Sequence, residues 1–299
     1  MTSWRGVFPA ITTQFKPDQT IDSGATAALV ERLIKAGCHG IIVNGTLGEG
    51  SALEADEKRA VIKLAIETAR GRVPVLTGVA EYTTKLACRL AADAEKLGAA
   101  GLMVLPAMVY KSDSRETMAH YRTVARASGL PIMVYNNPIS YGVDVKPAMF
   151  AELASERTIV AIKESSDDVR RISDIFNACG DRYTLFCGVD DLALEALMLG
   201  CKGWVAGLVN AFPEETIAIY EMAAAGRYTD ALQLYRWFMP LLHLDVSTKL
   251  VQYIKLAQAE TGTGTETVRA PRLVLEGAER EHVLAVIRTA LQRRPKRAA

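Results

Sequence analysis

Short apolar runs alternate with amphipathic segments along most of the chain, and the two kinds of segment have different periods. Residues 40–44, 73–79, 101–105, 131–135, 159–165, 183–188 and 203–207 are continuous and apolar, with many β-branched side chains. They read as strands covered on both faces, because a strand with one wet face would alternate. Between them, residues 23–37, 54–70, 83–97, 114–127, 146–155, 168–179 and 192–199 place apolar side chains three or four apart, the helical spacing. Glycines at 37, 98, 129, 180 and 200 supply the stops. Glu54, Asp56 and Glu57 suit the positive end of the second helix. With residues 6–15 as a first strand and 213–225 as a last helix, the chain holds about eight strand–helix units of roughly 25 residues, close to what a (β/α)8 barrel needs.

From Tyr228 onward the pattern is only helical, over residues 229–244, 249–260 and 280–292. The predicted architecture is therefore α/β: a TIM (β/α)8 barrel over residues 1–226 and a helical C-terminal extension over 227–299, packed on it. An open doubly wound sheet would carry a glycine-rich phosphate loop after its first strand. Thr12-Thr13-Gln14-Phe15 stands there instead, which also argues against a nicotinamide-dependent oxidoreductase.

In such a barrel the chemistry sits at the C-terminal ends of the strands. Strand six, Ile159-Val160-Ala161-Ile162-Lys163-Glu164-Ser165, ends in a lysine. Burying an unpaired ammonium is costly. Lys163 must therefore either meet a carboxylate or lose its charge and become a nucleophile able to attack a carbonyl. Tyr135 ends the neighbouring strand, where a hydroxyl beside an amine can shuttle protons. Gly45, Thr46 and Gly48 follow strand two in a small-residue turn whose N–H groups can hold a carboxylate, and the Thr46 hydroxyl is within plausible reach of Tyr135. Each of these also has a plainer reading: an ion pair, a packing residue at the barrel mouth, a βα turn that needs glycine. Asp190-Asp191 reads as a helix N-cap. His39, His120, His243 and His282 lack metal-ligand spacing, so no metal is expected.

Composition narrows the class. The 299 residues are 49% hydrophobic and 23% charged, with a net charge of +1. That is ordinary globular composition and gives no electrostatic case for a nucleic-acid partner. The basic end Arg293-Arg294-Pro295-Lys296-Arg297 reads as a solvated terminus. Cys38, Cys88, Cys179, Cys187 and Cys201 form no CxxC pair, which suits reduced thiols and a cytoplasmic setting. Neither a leader-like pattern at Met1-Thr2-Ser3-Trp4-Arg5 nor a run long enough to span a membrane is evident.

GTLGE at 45–49, YNNP at 135–138 and IKES at 162–165, in that order and on strands two, five and six, resemble the dihydrodipicolinate synthase / N-acetylneuraminate lyase family. The likeness runs from Gly6 through the extension. It implies a class I lyase in which Lys163 forms an imine with the C2 carbonyl of pyruvate or another 2-oxo acid, with no further cofactor. It casts Tyr135 as proton relay. Thr46 and the backbone N–H groups of Thr46 and Leu47 would hold the substrate carboxylate, and main-chain carbonyls near Gly188 and Val205 would line the lysine pocket. Family members are commonly homotetramers built as dimers of dimers.

Departures from the family pattern bear on substrate. Leu47 stands where a second hydroxyl residue is frequent. Met108 and Val109, with Tyr110 just beyond, stand where dihydrodipicolinate synthases carry a tyrosine pair, one member of which crosses a dimer interface. Ser140 stands where those enzymes grip an aldehyde substrate's carboxylate with arginine. Asn136, Asn137, Ser140 and Tyr110 offer neutral hydrogen bonds that suit hydroxyl groups. The expectation is a lyase for a hydroxylated 2-oxo acid, such as a 2-keto-3-deoxy sugar acid or pyrroline-4-hydroxy-2-carboxylate. Its alternatives are dihydrodipicolinate synthase proper and a catalytically silent small-molecule binder. The apolar residues of the extension, Leu232, Leu234, Trp237, Phe238, Leu241 and Leu242, are further expected to cover another subunit.

Overall fold

Eight short parallel strands form one sheet curved into a barrel: β1 (Gly6–Pro9), β2 (Ile41–Val43), β3 (Val75–Val79), β4 (Gly101–Val104), β5 (Ile132–Asn136), β6 (Ile159–Glu164), β7 (Thr184–Cys187) and β8 (Gly203–Ala206). The computed structural model describes residues 4–295. Strand order is β1-β8-β7-β6-β5-β4-β3-β2. The β1/β2 seam is drawn together by the parallel bridge of Ala10 with Ile42 and by the Ile11 N–H, which donates to the Ile42 carbonyl at 2.9 Å. Nearly every strand residue is buried, as the continuous apolar runs require. The first strand is shorter than its apolar stretch. Beyond Pro9 the chain leaves the ladder, and Thr12, Thr13 and Gln14 are buried with hydrogen-bond partners, Thr12 and Gln14 with side chains and Thr13 donating to the Gly48 carbonyl.

The helices surround this sheet: α1 (Ser23–Lys35), α2 (Ala55–Ala69), α3 (Thr84–Leu97), α4 (Ser114–Ala125), α5 (Pro138–Tyr141), α6 (Pro147–Leu153), α7 (Arg170–Cys179), α8 (Ala193–Met198) and α9 (Pro213–Ala224). Their starts follow local chemistry. The Asp22 carboxylate caps α1, Thr83 caps α3, and Glu54/Glu57 and Asp113/Glu116 form capping boxes on α2 and α4. Gly98 ends α3 at φ 86°, where a side chain would be strained. The single turn α5 was not anticipated. Its signal was present, since Asn137 caps it by accepting from the Ser140 N–H at 2.9 Å, with Pro138 at the first helical position.

The extension comprises α10 (Tyr228–Leu242), α11 (Leu250–Glu260) and α12 (Gly277–Gln292), with a 3-10 turn at His243–Val246 between the first two. Its apolar residues are spent within the chain, contrary to the expectation that they cover a second subunit. Phe238, Leu241 and Leu242 are fully buried, Trp237 and Phe238 stack beside Phe212, and only Leu232 of the group is exposed. The basic terminus is also not simply solvated. Arg294 pairs with Glu215 at 2.9 Å and lies over the Phe212 ring, while Lys296 and Arg297, like Met1 to Ser3, lie outside the described residues. No helix among the described residues is long and apolar enough to cross a membrane.

The extension is fastened to the barrel mouth by a buried ion pair. Lys255 Nζ on α11 meets Glu49 Oε1 at 2.6 Å, both side chains being wholly buried, and donates also to the Thr267 carbonyl. Glu49 Oε2 accepts from the Arg269 N–H at 2.9 Å. The Arg269 side chain reaches back to Glu57 and to the carbonyls of Gln19 and Ala52. Removing one partner strands a charge in the interior. Lys255→Met should lower the unfolding free energy by about 3–5 kcal/mol in urea titrations, and Lys255→Met combined with Glu49→Gln should recover part of it. A loss under about 1 kcal/mol in the single variant would show that the pair does not anchor the extension.

Candidate active site

The C-terminal ends of the strands open into a cavity of about 500 Å³. Lys163, the fifth residue of β6, reaches it from below, 6% exposed. The strand places it opposite Tyr135 of β5 in the hydrogen-bonded register. Its Nζ lies 3.8 Å from the centroid of the Tyr135 ring. Gly188 follows β7, and a methyl group there would sit 2.5 Å from Lys163 Cε, so the glycine is what leaves room for the lysine stem. No ion pair or hydrogen bond of the Lys163 ammonium is found among the described residues. Burial pushes its pKa below the ordinary lysine value, and the nearby Tyr141, Asp245 and Asp190 only partly offset this. Of the two possibilities posed by a lysine in a buried strand, the structure shows no carboxylate paired with Lys163 among the described residues, and burial shifts the amine toward its uncharged form.

Three hydroxyl groups stand beside it. Tyr135 is 5% exposed, and its hydroxyl accepts from Asn137 Nδ2 at 3.1 Å. Tyr141, at the end of α5, packs edge-on against Tyr135 with centroids 5.7 Å apart. The Tyr141 hydroxyl is hydrogen-bonded to Thr46 Oγ1. Thr46 was expected to bond Tyr135. It bonds Tyr141 instead, because the α5 turn inserts that ring between strand five and the β2 loop. Burial raises the pKa of both tyrosines, which favours their neutral hydroxyl forms.

The sequence between β5 and α6 holds this arrangement in place. Asn136 Oδ1 accepts from the Val145 N–H at 2.8 Å, and its amide donates to Glu164 Oε2 and Asp144 Oδ1. Arg171 grips Asp144 with two bonds of 2.8 and 3.1 Å. Asn137 bonds both the start of α5 and the Tyr135 hydroxyl. Gly45, Thr46 and Leu47 line the cavity. The N–H groups of Thr46 and Leu47 make no hydrogen bond among the described residues, which leaves them free for an anion. Val205, Gly188, Asn137 and Ser140 line the cavity as expected.

Gly48 and Tyr110 do not line it. A methyl group at Gly48 would lie 2.9 Å from the Ile11 carbonyl oxygen, so this glycine serves a close backbone approach. The Tyr110 hydroxyl bonds Glu116 on the surface, 3.0 and 3.1 Å from its oxygens, with the residue 60% exposed. The Asp190-Asp191 pair does not cap a helix. Asp190 is fully buried and accepts from Trp204 Nε1, Gly207 N and Leu208 N, with burial raising its pKa to about 6. Asp191 bonds His243 Nδ1 at 2.8 Å.

Several lining residues were missed: Tyr141, Ser165, and Asp245 and Arg272 from the extension. Tyr141 follows Ser140 directly, and recognising Asn137-Pro138 as a helix start would have turned it inward. Asp245 and Arg272 carry no local signal, since only the packing of the extension brings them to the mouth. Arg272 corrects a premise about charge, because the cavity does contain a guanidinium. It lies 3.8 Å from the already paired Glu49. No metal-binding cluster occurs among the described residues.

The pattern of the Dihydrodipicolinate synthetase family matches residues 3–290. Among curated proteins, the 4-hydroxy-tetrahydrodipicolinate synthase of Phenylobacterium zucineum is 35% identical over 289 residues, 96% of this chain and 97% of that one. YagE, a prophage protein of the dihydrodipicolinic acid synthase family from E. coli K12 solved with pyruvate, superposes with a TM-score of 0.91 at 27% identity, covering 97% of this chain and 99% of its own. A structure described as a monomeric dihydrodipicolinate synthase variant gives 0.90 at 27% identity over 97% and 96%.

The arrangement of hydroxyls predicts which tyrosine matters. Tyr141→Phe should slow borohydride trapping of pyruvate by roughly 100-fold or more, on the scale of a lost proton relay, while Tyr110→Phe stays within about twofold. A larger effect at Tyr110 would place the relay across a subunit contact and contradict the intrachain arrangement.

Proposed function

Since the chain belongs to the dihydrodipicolinate synthetase family and is a lysine Schiff-base lyase, we propose that Lys163 is its imine-forming residue and that it acts on pyruvate or a related 2-oxo acid. The observation that carries this is the buried Lys163 amine, without a carboxylate partner and facing the cavity beside Tyr135. The neutral amine attacks the C2 carbonyl. The Tyr135, Tyr141 and Thr46 hydroxyls carry the proton that the nitrogen loses to the oxygen that departs as water. The free N–H groups of Thr46 and Leu47 hold the substrate carboxylate. The imine then serves as an electron sink for bond breaking at C3 and C4, and the reaction needs no cofactor beyond that covalent link. A silent binder would have no use for Lys163, Tyr135, Tyr141 and Thr46 all in place.

For the remainder of the substrate we favour a hydroxylated chain or ring, a 2-keto-3-deoxy sugar acid or pyrroline-4-hydroxy-2-carboxylate. Asn137 and Ser140 offer neutral hydrogen bonds where a synthase would present a bidentate cation. The second reading, 4-hydroxy-tetrahydrodipicolinate synthase proper, has two supports: the names of the curated relatives and Arg272 in the cavity lining. Glu49 beside Arg272 weakens the latter, because that guanidinium is already partly neutralised.

A tetrameric assembly and a cytoplasmic setting belong to the same proposal. The first draws on exposed Tyr82, Val109, Tyr110 and Ile139, the second on cysteines that are all free.

Two measurements on one preparation test this reading. Borohydride with pyruvate should place one reduced adduct on Lys163 by peptide mapping, and Lys163→Ala should lose it. A panel comparing hydroxylated 2-oxo acids and the hydroxylated pyrroline with aspartate semialdehyde plus pyruvate should give the highest kcat/KM to a hydroxylated member. An adduct on another lysine sinks the first claim. A clear preference for the semialdehyde replaces the second with the synthase reading.

A further inference from the structure

The cavity holds a second proton-bearing group on the far side of Lys163. Asp245 comes from the 3-10 turn between α10 and α11 and lines the same cavity. Its carboxyl makes no hydrogen bond or ion pair among the described residues. It lies against the α-carbon of Gly207, just past β8. A methyl group at Gly207 would clash with Asp245 Oδ1 and lie 2.8 Å from its Cγ. Gly207 needs no left-handed φ, so its value here is the space it leaves. The carboxyl is thus an unpartnered acid admitted to the reaction chamber by an absent side chain.

Its neighbours bias it toward the protonated form. Asp190, directly behind Gly207, is served by three N–H donors and is the better anion of the two. Two acids at close quarters do not both ionise, and the one without donors keeps its proton. Burial, Asp190 and Asp191 all raise the pKa of Asp245, and only Lys163 opposes them. Tyr135 also lies within its electrostatic range.

We propose that Asp245 is a catalytic acid that protonates the leaving hydroxyl of the substrate, making water elimination from C4 the bond-breaking step of this enzyme. The inference rests on the Lys163 imine and hydroxylated-substrate reading, and deepens it. With C2 held as the Lys163 imine, a C3 proton is lost toward the Tyr135 side and its electron pair forms the enamine. The enamine pair then moves to make the C3–C4 double bond while the C4–O bond breaks. The departing oxygen takes the Asp245 proton and leaves as water. The product is a conjugated imine, hydrolysed to release the lysine, and Asp245 regains its proton from solvent. No oxidant or reductant enters. An acid on one flank and a relay on the other match a reaction that takes a proton from one carbon and delivers one to a neighbouring group.

The test uses the full chain with Asp245→Asn and Gly207→Ala. The first keeps the shape and removes the acid. The second displaces the carboxyl while leaving every titratable group. Both should trap pyruvate on Lys163 at near wild-type yield, and Asp245→Asn should melt as wild type does. Both should lose water elimination from 2-keto-3-deoxy sugar acids or the hydroxylated pyrroline by roughly 100-fold or more in kcat, with a smaller change in KM. Asp245→Glu should restore part of the rate. Elimination by Asp245→Asn within about threefold of wild type overturns the acid role alone. Loss of trapping together with turnover also overturns it, because Asp245 would then be tuning the lysine. A wild type that traps pyruvate yet eliminates water from no panel member overturns this assignment and the hydroxylated-substrate reading together, while leaving Lys163 as the imine residue.

Discussion

A primary amine buried without a carboxylate partner is the constraint around which the site is built. In water the ammonium of a lysine is strongly solvated. At the mouth of this barrel Lys163 has an aromatic face 3.8 Å away and glycine beside its stem. Ionisation there carries a desolvation cost that the surrounding acids only partly offset. The acids nearby are themselves held from full effect. Asp190 spends its charge on three N–H donors, and burial and Asp190 push the Asp245 carboxyl well above the ordinary carboxylate range. On the proposed reading the amine is then the nucleophile, and the cavity in front of it is where a carbonyl is attacked.

The remaining geometry protects that condition. The proposed tyrosine relay needs its hydroxyls fixed near the nitrogen, and α5 is what fixes Tyr141 between Tyr135 and Thr46. That turn stands on Asn136, Asn137 and the Asp144–Arg171 pair. The extension closes the opposite side through the Lys255–Glu49 pair and through Gln14, which donates to Thr12 and accepts from the Thr265 N–H. The barrel supplies Lys163, and segments outside the strands supply much of the cavity lining around it.

What was legible in the sequence follows the range of the interactions involved. All eight strands could be read, because strands covered on both faces must be continuous apolar runs. Lys163 and Tyr135 could be found because each breaks such a run at its end, and their pairing is local in the sheet. Thr46 was found but given the wrong partner, since α5 is a single turn of 4 residues with no hydrophobic period to reveal it. Tyr110 was taken into the site from its place after β4. Yet Val109 adopts φ 72° there, and the loop carries Tyr110 out to Glu116. Asp245 and Arg272 belong to helical and loop segments placed by long-range packing, Asp245 against Gly207 and the turn after β7 and Arg272 against Glu49. Asp190, read as a cap, instead ties β8 to the turn after β7. None of these contacts leaves a mark in periodicity.

The central claim is that burial lowers the pKa of Lys163 below the ordinary lysine value, and the rate of imine formation as a function of pH tests it most directly. Rapid mixing with pyruvate and borohydride, sampled from weakly acidic to strongly alkaline solution, reports the fraction of free amine at Lys163. The account predicts a rate that rises with pH and levels off clearly below the ordinary lysine pKa of 10.5. A rate still climbing at or beyond that value would show Lys163 to be an ordinary solvated ammonium and would contradict the account.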